Sequence, residues 1–387
     1  MALATMTGLD ARTPRLSFAE KLWSLNWGLL LLLTAIASFG FAMLYSAANG
    51  DVQPWAARQM MRFAVSVSLM IGVALVDIRF WLRSAYIIFA IAFALLIAVE
   101  VRGAIGMGAQ RWIDLGLIQL QPSELMKVAL ILALARYFHG LTIEDVRRPL
   151  RLVVPALFIL TPAVLVLKQP DLGTALLLLV SGAALCFLGG VRLRMFAAAG
   201  LTAAVAAPFA WRMLRDYQKT RLYTFLDPDQ DPLGAGYHIM QSKIALGSGG
   251  LFGKGFLLGT QTHLSFLPEK QTDFIFTMLA EEFGLVGGLV LLALYIVVIG
   301  YAFAIALRSR NQFGRLLGLG LATNLFLYAF INTAMVTGLI PVVGVPLPLI
   351  SYGGTAMITM MLGFGLVMNI GIHRDVRISR LGESQLG

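Results

Sequence analysis

The apolar residues of this chain gather into long runs parted by short polar segments. Ten runs stand out, near Trp27–Tyr45, Phe63–Val76, Ala85–Val99, Glu124–Phe138, Leu152–Leu167, Thr174–Leu188, Met195–Ala210, Phe274–Leu307, Leu316–Val336 and Thr355–Ile370. A helix needs about 20 apolar residues to cross a bilayer. The pattern therefore predicts an all-α polytopic membrane protein with ten transmembrane helices, the shorter runs tilting or extending into their loops. A single membrane domain then covers 26–371, between an N-terminal tail at 1–25 and a C-terminal tail at 372–387.

The polar segments fall into two kinds. Those on the side of the N-terminus are plain basic connectors, such as Arg79 with Arg83, Arg147 with Arg148 and Arg151, and Arg308 with Arg310 and Arg315. Basic residues in short loops mark the cytoplasmic side, which places both termini there. The opposite side carries four longer stretches, Glu100–Ser123, Lys168–Gly173, Trp211–Asp273 and Thr337–Gly354. The third, a large extracytoplasmic loop between helices 7 and 8, is about 60 residues long, too long for an idle connector. The chemistry is expected on this outer face.

Composition agrees. Of 387 residues 58% are hydrophobic and 13% charged, and the mean hydropathy is +0.81. The net charge of +10 is scattered between apolar runs, which fits loops facing an anionic leaflet rather than nucleic acid. The one cysteine, Cys186, sits in an apolar run with no partner for a disulfide or a metal site. The first span has no small-residue cleavage site close behind it and is expected to remain as an anchor.

Asp273 stands where the long loop meets the run Phe274–Leu307. A carboxylate at the edge of hydrocarbon is costly unless something pairs with it or uses it. It is read as a helix cap or as a catalytic base. Thr277 and Glu281 follow at helical spacing and extend a polar stripe about 12 Å long at 1.5 Å per residue. Arg111–Gln121 alternates polar and apolar groups, as in a segment lying on the membrane surface. Pro122, Ser123 and Glu124 form a helix start. Glu124 and Lys127 share a helix face, either as a stabilising ion pair or as the lining of an outward cavity. Asp171 suits a helix N-cap, beside Lys168. Tyr237–Leu246 reads as a short amphipathic helix with Gln241 and Lys243 at polar positions. The glycine-rich stretch Gly247–Gly255 is no phosphate-binding loop: Ser248 and Gly255 stand where that motif needs glycine and Ser or Thr. Phe252 likewise breaks the dinucleotide fingerprint. The four histidines are not at metal-ligand spacing from one another. A divalent cation such as Mg²⁺ or Mn²⁺, held by carboxylates together with phosphates, is the one cofactor expected.

The stretches GAQRWI, QPSELMK, KQPDLGTA, RLYTFLDP, GYHIMQSKIALGSGGLFGKG, LPEKQTDFIF and PLISYGG follow one another from Gly108 to Gly354. Together they resemble the SEDS family (shape, elongation, division and sporulation), nearer to its elongation branch than to its division branch. The resemblance implies a peptidoglycan glycosyltransferase of the bacterial cytoplasmic membrane. Its implied substrate is lipid II, a disaccharide-pentapeptide on undecaprenyl diphosphate. Its implied partner is a class B penicillin-binding protein, the elongation transpeptidase. The family's essential aspartate falls on Asp273, whereas Gln271 stands where the family often has His. The expected reaction is an inverting transfer with Asp273 as general base. The substrate-binding groups are then Arg111, Glu124, Lys127, Lys168, Asp171, Arg221, Gln241, Lys243 and Glu281, and a groove between spans near Asp273 is expected to admit the lipid. A flippase for the lipid-linked precursor is the alternative. It needs polar contacts through the full depth of the membrane, and the inner halves of these runs are almost wholly apolar.

Overall fold

The computed structural model describes residues 17–379 apart from 107–108, 115, 117–118, 214–215, 228–234 and 261–268. Much of both tails, most of the turn expected at 227–231 and the start of the stretch leading to Asp273 lie outside the described residues.

A helix stands over each apolar run. In chain order the helices are α1 (Phe18–Trp23), α2 (Trp27–Ala47), α3 (Ala56–Leu75), α4 (Ile78–Arg102), α5 (Pro122–His139), α6 (Ile143–Val146), α7 (Val153–Lys168), α8 (Leu172–Leu188), α9 (Leu193–Met213), α10 (Asp216–Leu226), α11 (Ala235–Ser248), α12 (Ile275–Arg308), α13 (Gln312–Val336) and α14 (Gly354–Ile372). Among the described residues, seven segments are long and apolar enough to cross a membrane: α2, α3, α4, α12, α13, α14 and the stretch Pro149–Lys168 that contains α7. Helices α8 and α9 are apolar but shorter, and α5 carries Glu124, Lys127 and Arg136.

The segment expected to lie on the membrane surface contributes to a small antiparallel sheet, β1 (Ala104–Gly106), β2 (Ala109–Asp114) and β3 (Gln119–Leu120). Ala104 faces Trp112 and Ile113 faces Leu120. Alternation with a period of two is a strand signal, and β2 takes it.

Helices α5, α13 and α14 form the centre. In α13 and α14, 78% of the most apolar window is buried, against 22–39% in the other spans. Helix α5 touches α4, α7, α8, α13 and α14. Helices enclosed by protein can carry polar groups that a lipid-facing helix cannot, which accounts for the charges on α5.

The polar connections sort into two ends. At one end, side chains close the helix termini. Asn369 on α14 donates to the carbonyls of Ala74 (2.9 Å), Val73 (3.4 Å) and Val76 at the end of α3. Lys21 donates to Leu75 O at 3.0 Å, and Asn311 caps α13 through Gly314 N at 2.6 Å. The other end holds the sheet, α11, the start of α12 and the Pro/Gly-broken segment 337–353. The backbone of that segment is satisfied by protein. Gln59 donates to Ser351 O at 3.0 Å, and Asn332 donates to Val345 O at 2.7 Å. Leu347 N donates to the Ser351 hydroxyl at 2.7 Å, and Tyr295 donates to Pro348 O. Irregular backbone at membrane depth is tolerated under this condition.

Candidate active site

Asp273 occupies a turn just before α12, half-buried. Three bonds fix the turn. Tyr352 N donates to Gln271 O at 2.8 Å, the Ser351 hydroxyl donates to Thr272 O at 2.6 Å, and the Asn332 amide donates to Asp273 O at 2.9 Å. The carboxylate itself has no hydrogen-bond or ion-pair partner among the described residues. Gly344, at φ +73, lies beside it: a Cβ there would sit 3.4 Å from Oδ2, in ordinary van der Waals contact. Burial pushes the Asp273 carboxyl up to about 6. The charges of Glu269 and Asp171 push the same way, and the guanidinium groups of Arg221 and Arg111 oppose them.

The arginines and Asp171 come from three separate segments. Arg111, on β2, donates from Nε to Gln169 O at 3.0 Å and from Nη2 to Pro170 O. Its bonds go to neutral carbonyls, so its charge remains available. Arg221, on α10, donates to Val342 O at 3.3 Å. Asp171 caps α8 through Thr174 N at 3.1 Å and accepts from Gln121 Nε2 at 3.3 Å. The N-cap reading of Asp171 and its nearness to Asp273 therefore hold together. Gln169 is buried and bonded to Leu96 O at 3.0 Å, which steadies the carbonyl that holds Arg111.

The other expected residues lie elsewhere. Lys127 and Glu124 make a buried ion pair at 2.6 Å. Tyr328 closes it, donating to Glu124 Oε2 at 2.7 Å and accepting from Lys127. This knot lines a small cavity of about 20 Å³ together with Asn324 and Thr359. Lys168 and Lys243 are exposed, and Gln241 is half-buried on α11. Thr277 bonds Ser242 of α11 at 2.8 Å, and Glu281 pairs with Lys254 at 2.7 Å. The stripe of Asp273, Thr277 and Glu281 thus leads from the site into protein contacts.

Helix α12 is broken at Gly284, whose φ is +69. The glycine-rich segment bridges the break. Lys254 N and Gly255 N donate to Glu281 O and Glu282 O, each at 3.0 Å, while Leu285 N and Val286 N donate to Gly250 O and Leu251 O at 2.9 and 3.1 Å. Side chains are excluded there. A Cβ on Gly253 would lie 2.1 Å from Glu282 O, and one on Gly249 would lie 2.1 Å from Ala280 O. The glycines serve the backbone of a split helix.

An apolar groove of about 220 Å³ runs beside α3, α4, α5 and α14, past Val73, Ile88, Leu95, Leu125 and Leu366. It is not lined by Asp273 or the arginines. Among the described residues no three His, Cys, Asp or Glu side chains are placed together to hold a metal ion.

Sequence reasoning overlooked Asn332, Tyr328 and Glu269. The first two had a signal: Asn324, Tyr328 and Asn332 recur at i, i+4 and i+8 within an otherwise apolar run. Glu269 had none beyond its closeness in the chain.

Residues 21–376 match the family model FTSW_RODA_SPOVE, described as cell cycle protein. The chain is 46% identical over 351 residues to the peptidoglycan glycosyltransferase MrdB of Escherichia coli strain K12, covering 90% of this chain and 94% of that one. It is 32% identical to the peptidoglycan glycosyltransferase RodA of Treponema pallidum, covering 88% and 96%. Among solved structures it is similar to a chain of a peptidoglycan synthase complex that coordinates polymerization and crosslinking. The TM-score there is 0.79 at 33% identity, covering 90% of this chain and 98% of that chain.

Proposed function

The chain belongs to the FTSW_RODA_SPOVE family of cell cycle proteins, and from that premise we propose how its Asp273 end lengthens a glycan strand. The protein is a multi-pass inner-membrane peptidoglycan glycosyltransferase of cell elongation. In our reading the chain crosses ten times with both termini in the cytoplasm, and Asp273 faces outward.

The substrate is lipid II in two copies. Asp273 removes the proton from the 4-hydroxyl of the acceptor's GlcNAc. That oxygen attacks the anomeric carbon of the donor's MurNAc with inversion, and the bond to undecaprenyl diphosphate breaks. The diphosphate leaves with the electron pair. The single observation that carries this assignment is the unpartnered, half-buried carboxylate of Asp273 within electrostatic reach of two guanidinium groups. General-base assistance supplies ~10²–10⁴ in rate. Arg111 and Arg221 stabilise the charge that grows on the leaving diphosphate. The apolar groove offers the polyprenyl tail a place along the bundle. The partner is a class B penicillin-binding transpeptidase, supported by the likeness to a synthase-complex chain.

A flippase needs a polar lane. Helix α14 has only apolar residues and glycine from Met360 to Met368. Purified protein incubated with lipid II in detergent, where flipping has no meaning, tests the assignment. Native protein is expected to yield long strands and Asp273→Asn none; equal product from both overturns the base.

A further inference from the structure

Arg62 stands in the second turn of α3, half-buried, at the Asp273 end of the bundle. Gln59, one turn earlier, grips the broken segment twice, donating to Ser351 O at 3.0 Å and accepting from Gly353 N at 3.4 Å. Arg62 shares that helix face but grips no backbone. Its guanidinium lies over the Tyr352 ring, 4.7 Å from the centroid. Its Nη1 is buried and meets no acceptor among the described residues. Arg136, by contrast, donates to Arg83 O at 2.7 Å, and Arg111 donates to two carbonyls. A charged donor buried without an acceptor is costly. Snorkelling carries an arginine head to water, whereas this Nη1 is turned away from it.

The guanidinium also faces a helix end. Gly354 opens α14, and a Cβ there would lie 3.2 Å from Arg62 Nε. Helix α14 is 19 residues long and has no side-chain cap. The first N–H groups of a helix have no partner inside it, and the dipole there favours an anion. Donors from α3 and from α14 thus meet at one spot. Along the same face of α3, about three turns or roughly 16 Å further on, Val73 lines the apolar groove. An anion carried on a lipid can satisfy the donors and the groove together.

We propose that Arg62 and the N-terminus of α14 bind the phosphate of a membrane lipid whose chain lies in that groove. A guanidinium presents a planar fork that matches phosphate oxygens, and Tyr352 stacks behind it. Two lipids carry this chemistry, an anionic phospholipid and undecaprenyl diphosphate. The site is independent of the base assignment, because binding is read without turnover.

The test uses the full-length protein as native, Arg62→Gln and Arg62→Met. Arg192→Gln, an exposed arginine beyond the far end of α8, controls for the loss of one charge. Each is stripped of lipid and titrated in detergent with phosphatidylglycerol and, separately, with undecaprenyl diphosphate. Native mass spectrometry reads the bound fraction, and thermal unfolding with and without lipid reads the stabilisation. Affinity for one or both lipids is expected to fall roughly tenfold to a hundredfold in the Arg62 variants and to stay native in Arg192→Gln. Loss confined to phosphatidylglycerol assigns the site to a phospholipid. Loss confined to undecaprenyl diphosphate assigns it to the substrate's carrier. Native affinity for both lipids in the Arg62 variants overturns the proposal and leaves Nη1 to a bound water. An equal loss in Arg192→Gln also overturns it, since bulk charge would then suffice. Arg62→Met, which keeps an apolar stem, decides the matter if Arg62→Gln does not fold.

Discussion

The two ends of the helix bundle use polar side chains in opposite ways. At the Asn369 end, each polar group closes an account: Asn369, Lys21 and Asn311 meet the terminal backbone groups of α3 and α13. At the Asp273 end, backbone carbonyls hold Arg111 in place, and Asp273 has its carbonyl bonded but its carboxylate left open. Helix ends explain the first pattern completely. The second leaves charge unspent, and unspent charge at membrane depth marks a functional site. Between them Glu124, Lys127 and Tyr328 bond one another in a buried knot, the arrangement of a structural ion pair.

The contrast can be broken in order of expected effect. Asp273→Asn should abolish strand synthesis, a loss of ~10²–10⁴, without loss of stability. Because the folded protein holds this carboxyl near 6, above its ordinary value, the group binds its proton more tightly folded than unfolded. Stability therefore declines as pH rises toward 6, and a neutral asparagine removes that burden. Unfolding of the detergent-solubilised variant at pH 7 checks this. Lys127→Met should do the reverse, destabilising the fold by about 3–5 kcal/mol by stranding Glu124. A stable but inactive Lys127→Met would move the knot to the catalytic side. Arg111→Gln should lower kcat by on the order of 10²-fold, as loss of one transition-state donor does. A native-level initial rate would show that Arg111 serves only its loop. Native activity should fall about tenfold per pH unit below about 6 as Asp273 protonates, and initial rates across pH 5–8 measure this. Asn369→Ala, at the closed end, should cost roughly 1 kcal/mol of stability and leave the rate untouched.

Much of this was legible in the residues. Long apolar runs need helices to satisfy their backbone in lipid, so the helix positions could be read directly. Asp273 was conspicuous as a charge at the edge of such a run, and Arg111, Asp171 and Arg221 as charges in the outer loops. What brings them together was not legible. Arg111 meets Gln169 across a long stretch of chain, and no local preference announces that contact. The break at Gly284 was hidden inside a continuous apolar run, because it is made by backbone from 250–255 rather than by anything beside it. For the same reason Glu281 read as a ligand-facing acid, while the structure gives it to Lys254. That Arg111–Asp114 pairs as a strand was not foreseen, although its period-two alternation was visible.

The apolar stretch of α14 from Met360 to Met368 bears on energetics as well. A proton collected by Asp273 finds no side-chain relay along that helix toward Asn369, and in the proposed reaction it is released on the side from which the acceptor enters. Each sugar added then moves no charge through the transmembrane voltage, where one charge per 100 mV would be worth about 2.3 kcal/mol. Strand growth draws on the sugar–diphosphate bond alone and should proceed equally in energised and depolarised vesicles.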